Sequence, residues 1–106
     1  MITEERVLDF IRSFGVDRGS EALHMIEKEA IRDDVPIIRK ESGELLRILL
    51  QIKKPEKILE VGAAIGFSSV FMGENTGKNT HITTIENYEK RIPIARENFR
   101  RAGKED

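Results

Sequence analysis

The 106-residue sequence contains no cysteine and no tryptophan, one tyrosine and only three prolines. Without cysteine there are no disulfides, no thiolate nucleophile and no cysteine-ligated zinc, and a reducing compartment such as the cytoplasm is the expected home. No apolar run is long enough to span a bilayer, and Met1 to Arg6 lacks the basic and apolar segments of a secretory leader, so no membrane partner is expected. Charge of one sign is also lacking. Eighteen basic and nineteen acidic residues leave a formal net charge of -1, so no global field draws the chain to nucleic acid or anionic lipid.

What is present is the composition of a globular protein, 39% hydrophobic and 35% charged, at the length of one small domain. Val7, Leu8, Ile11 and Phe14 recur at helical spacing after Thr3, a potential cap, and Gly15 ends this first helix. Ser20 can cap a second helix with Leu23, Ile26 and Ala30 on one face, and Pro36 enforces extended backbone after it. From about Glu41 a third helix carries Leu45, Leu46, Ile48, Leu49 and Ile52; with apolar residues on more than one face, it is expected to be buried against a sheet.

Lys57–Val61 reads as a short buried strand, followed by a small-residue turn and a helix from about Phe67 to Glu74. His81–Ile85 reads as a second strand. A last helix runs from about Tyr88 to Ala102, and Pro93 predicts a separate first turn or a kink before Ile94. The order of helices, then strand, helix, strand, helix is an α/β beginning. Residues 1–54 form the N-terminal helices and 55–106 two βα units of one partial domain, whose two open strand edges look interrupted or in need of a partner chain.

Chemistry concentrates at the segment Glu60-Val61-Gly62-Ala63-Ala64-Ile65-Gly66-Phe67-Ser68-Ser69, where strand gives way to helix. Small residues let a ligand approach the backbone, and amides at the helix start favour an anion, to which the Ser68 hydroxyl can add a donor. Two anionic ligands fit: the diphosphate of a dinucleotide, or the carboxylate of the methionine half of S-adenosylmethionine. A dinucleotide fingerprint starting at Gly62 needs glycine at 64 and glycine or alanine at 67, where the chain has Ala64 and Phe67. Glu60 adds a negative charge that suits an amino group or sulfonium and repels a diphosphate. A nicotinamide-dependent oxidoreductase is therefore the poorer fit. Glu86 stands at the end of the next strand, 24 residues beyond Gly62, where parallel topology brings it beside the turn and both ribose hydroxyls can donate to it.

Glu60 to Ser68, preceded by Val35-Pro36-Ile37-Ile38 and Ser42-Gly43-Glu44-Leu45-Leu46, resembles the O-methyltransferase family that includes caffeoyl-CoA and catechol methyltransferases. The bacterial branch, with its tRNA 5-hydroxyuridine methyltransferases, is the nearer likeness. It covers nearly the whole chain, least specifically over the first thirty or so residues. The resemblance implies a Rossmann-like, S-adenosylmethionine-dependent fold truncated after its second βα unit, with a tRNA or small hydroxyl compound as acceptor and a homodimer as assembly. It implies cofactor contacts at Ile38, Ser68 and Glu86 and the glycine-rich motif at Glu60, Gly62 and Gly66, with Ala64 where relatives vary. The candidate cofactor-binding set is thus Ile38, Glu60, Gly62, Ala64, Gly66, Ser68 and Glu86.

In the family a divalent cation (Mg2+), held by aspartates and an asparagine of later strands, orients the acceptor hydroxyl; the sequence carries no such ligands, and catalytic residues are expected outside it. The chain is thus expected to be weakly active or inactive by itself; the alternative is an inactive cofactor-binding or oligomerisation module. His24 and His81 have no second ligand at metal spacing, and the basic groups Arg39-Lys40 and Arg100-Arg101 are interleaved with carboxylates as on a solvated face.

Overall fold

A computed structural model describes residues 4–13 and 19–105. Its elements are α1 (Glu5–Arg12), α2 (Glu21–Arg32), α3 (Lys40–Lys53), β1 (Lys57–Val61), α4 (Phe67–Glu74), β2 (His81–Ile85) and α5 (Ile92–Arg101). The Thr3 cap, the Gly15 stop and the turn at Asp17 and Arg18 lie outside the described residues.

The two strands pair in parallel, Lys57 opposite His81 through Val61 opposite Ile85. Alternation puts Ile58, Glu60, Ile82 and Thr84 on one half-buried face and leaves Leu59, Val61, Thr83 and Ile85 on the other, exposed one. The expectation of a buried strand thus holds for one face of β1 only: Leu59 is 67% and Val61 79% exposed.

The core lies around α2 and α4. Leu23, Ile26 and Ala30 form the stripe of α2 and meet Ile65, Phe67 and Val70, with Ile26, Ala30 and Val70 fully enclosed. Burial of an aliphatic side chain of this size contributes roughly 1.5–3 kcal/mol, so this cluster is the main cohesive unit. Val35, Ile37 and Ile38 of the extended connector pack against it, as do Phe71, Phe99 and Ala102. Ser20 caps α2 as its sequence position predicts, its Oγ accepting from the Leu23 amide at 3.1 Å. Glu74, at the end of α4, accepts from the Ser20 amide at 3.0 Å and from the Ser20 hydroxyl, tying the two helices together.

Against expectation, α3 is not covered. Only Gly43 and Leu50 are buried, while Leu45, Leu49 and Ile52 are 59%, 51% and 75% exposed. Two strands about 4.8 Å apart offer too narrow a surface for both α3 and α4, and α4 packs on it. Pro93 sits in the first turn of α5, after a separate turn closed by the Arg91 amide on the Tyr88 carbonyl at 2.9 Å; a proline amide is not needed there. No described helix is long and apolar enough to cross a membrane.

Candidate functional site

The turn between β1 and α4 is fixed by bonds from three directions. From β2, the Ile85 carbonyl accepts from the amides of Gly62 and Ala63 at 2.7 and 3.2 Å. Within the turn, the Gly66 amide donates to the Ala63 carbonyl at 2.8 Å. From α5, the Asn98 side chain donates to the Ile65 carbonyl at 2.7 Å. This path needs positive φ at Gly62 (+94°), Ala64 (+49°) and Gly66 (+93°). An alanine tolerates such a conformation only at a cost of about 1–2 kcal/mol, which the surrounding bonds must outweigh.

The two glycines serve different ends. A Cβ on Gly62 would meet nothing within 4 Å, so this position is open to a ligand. A Cβ on Gly66 would lie 2.7 Å from Cε1 of Phe99, so Gly66 admits the α5 ring rather than a ligand.

Two carboxylates flank the turn. Glu86, just beyond β2, accepts from the Ala64 amide at 2.7 Å on Oε1 and from the Tyr88 amide at 3.0 Å on Oε2. These amides, Tyr88 first and Ala64 second, hold the Glu86 carboxyl below its ordinary pKa, with the Arg91 charge helping. A carboxylate offers about four acceptor positions, so two amide donors leave room for two more. Glu60, on the half-buried face of β1, accepts from the hydroxyls of Ser68 at 2.5 Å, Thr84 at 2.7 Å and Ser69.

Of the residues expected at the site, Glu86 and Ala64 are in direct contact, Glu60 and Ser68 are in direct contact, and Gly62 lies in the same turn. Ser68 does not stand free as an anion donor: its single proton is committed to Glu60. Ile38 packs with the core, its Cδ1 3.7 Å from where a Gly43 Cβ would stand. Sequence reasoning missed Asn98, Phe99, Ser69 and Thr84. The signal for Asn98 was available: it shares a helical stripe with Ala95, Phe99 and Ala102, where a polar residue needs partners. Thr84 becomes visible only once register sets it opposite Glu60. A shallow groove lined by Ser20, Gly73, Glu74, Arg101 and Lys104 lies at the other end of α4.

The chain is 36% identical over 55 residues to the protein-L-isoaspartate O-methyltransferase of Methanosarcina mazei, covering 52% of this chain and 23% of that protein. It is 34% identical over 61 residues to the catechol O-methyltransferase of Niastella koreensis, covering 58% and 28%. The structure of an O-methyltransferase from Bacillus cereus in complex with SAH superposes with a TM-score of 0.77 at 25% identity, over 92% of this chain and 46% of that one. The chain therefore spans about a quarter of those curated relatives and about half of that structure, as a fragment of a Rossmann-like fold. A profile of the O-methyltransferase family matches residues 14–106, and the chain belongs to that family.

Proposed function

We propose that this chain supplies the S-adenosylmethionine-binding half of an enzyme that methylates a hydroxyl oxygen. The observation that carries this reading is the Glu86 carboxylate, held on the Ala64 amide of a turn whose neighbouring Gly62 is open. A ribose diol needs two adjacent acceptors of fixed direction, and a carboxylate anchored by two backbone amides supplies them without reorganisation. The Bacillus cereus neighbour, solved with SAH, supports the same ligand class.

In the reaction the acceptor oxygen attacks the methyl carbon as the carbon–sulfur bond breaks. S-adenosylhomocysteine leaves, and the hydroxyl proton passes to a base. The part of this chain is positioning: holding the nucleoside and amino-acid ends fixes the sulfonium methyl in line with an incoming oxygen, and orientation of this kind accounts for much of such a barrier. The described residues hold no group of three or more carboxylate or histidine side chains able to ligate a metal, so they do not fit a Mg2+ site. Two relatives of similar identity carry names specifying different acceptors, isoaspartyl protein and catechol, which supports leaving the choice of acceptor to other parts of the whole enzyme. A tRNA 5-hydroxyuridine or a small catechol-like compound fits the reading, selected by other parts of the whole enzyme.

Calorimetric titration of the chain with S-adenosylhomocysteine and, separately, NAD tests the proposal. Saturable binding of the first alone is expected. Binding of NAD, or of neither, refutes it.

A further inference from the structure

Asn98 is 1% exposed, one of two polar residues in the described core. It stands on the stripe of α5 that also buries Ala95, where leucine would fill space without needing a hydrogen bond. Both ends of its carboxamide are used. Nδ2 donates to the Ile65 carbonyl at 2.7 Å, and Oδ1 accepts from Nη1 of Arg101 at 3.0 Å. A carbonyl only accepts and a guanidinium only donates, so the amide has one orientation. Arg101 is itself held by both oxygens of Glu29 on α2, at 3.1 and 3.0 Å.

Ile65 lies between two positive-φ residues, Ala64 and Gly66, a backbone path that persists only when the surrounding bonds hold it. Its carbonyl is fixed by Asn98, and the preceding residue's amide meets Glu86. We propose that Asn98 is a positioning residue for the turn: aimed by Arg101 and Glu29, it locks the Ile65 carbonyl and so presents the Ala64 amide to Glu86. Its consequence for a ligand rests on the cofactor reading above, while its consequence for the turn does not.

The test uses the full chain with Asn98→Leu, which keeps volume without an amide, and Asn98→Asp, which keeps an acceptor for Arg101 but removes the donor to Ile65. Amide hydrogen exchange at Ala64 is compared with the β1–β2 ladder amides, and affinity for S-adenosylhomocysteine is measured alongside. Loss of one buried hydrogen bond predicts Ala64 exchange about tenfold faster with ladder exchange unchanged, and binding weakened about tenfold. Ala64 exchange within twofold of the parent overturns the proposal, as does an equal rise at Ala64 and the ladder, which signals general destabilisation. If neither variant folds, Arg101→Met, which leaves Asn98 in place but unaimed, is read by the same criterion. If the parent chain binds no S-adenosylhomocysteine, the cofactor reading fails and the exchange measurement still decides the role of Asn98.

Discussion

Gly66→Ala tests whether α5 shapes the turn by direct contact. The added Cβ would stand 2.7 Å from Cε1 of Phe99 and 3.3 Å from Cδ1 and Cζ, against the edge of a rigid ring packed on the core. Placing alanine at a φ of +93° costs about 1–2 kcal/mol. Forcing the ring aside adds about 1–3 kcal/mol, the usual range for an overpacked core. The sum, about 2–5 kcal/mol, is a large share of the stability of any small domain. Gly62→Ala is the control: it has nearly the same φ, +94°, and open space, so only the backbone cost of about 1–2 kcal/mol applies. Urea unfolding followed by far-ultraviolet circular dichroism measures both. The double variant with Phe99→Leu should recover about 1 kcal/mol of the Gly66→Ala loss through relief of the shared contact. Equal losses for the two glycine variants, or no recovery with Phe99→Leu, would refute the account.

Gly62→Ala should weaken S-adenosylhomocysteine binding while Ser20→Ala leaves it intact and lowers stability by about 1 kcal/mol, through loss of the α2 cap and of the link to Glu74; thermal melting and calorimetry separate the two effects. Because the Glu86 carboxyl is held below its ordinary pKa, its contribution to stability and binding is complete above the unfolded-state value and is lost as pH falls through the lowered folded-state value. Ligand affinity should therefore stay level from neutral pH down to the usual carboxylate range and fall only below it. A decline that begins near neutrality would point to another group. Glu86→Gln, with one oxygen left to accept, should weaken binding by roughly tenfold or more at pH 7.

The elements of this chain were legible because each carries a local signal. A short apolar run marked 57–61 and a β-branched run marked 81–85, and the ends of both strands agree with the structure. Pro93 predicted a break, and the structure has a separate turn before Ile92. Burial was less legible. Hydrophobicity in α3 states that a side chain gains from cover, without saying which surface covers it, and Leu45 and Ile52 remain open. Site chemistry was legible in its carboxylates, Glu60 and Glu86, and illegible in what restrains them. Thr84, Ser69 and Asn98 act across 24, 9 and 33 residues of sequence separation, distances closed by the strand register, the turn into α4 and the packing of α5.

The restraints on the turn share one side of the sheet. Glu60 and Thr84 belong to the half-buried face beneath α4, and Asn98 and Phe99 reach the turn from α5. Leu59, Val61 and Ile85 alternate with those residues and point the other way, because successive side chains on a strand lie on opposite faces. Covering that exposed face therefore changes the burial of Leu59, Val61, Thr83 and Ile85 without touching any bond that sets Gly62, Ala64 or Glu86. The bonds that set the turn come from residues 60–101 together with Glu29. A substitution at Leu59 should therefore leave hydrogen exchange at the Ala64 amide unchanged, while one at Asn98 should speed it.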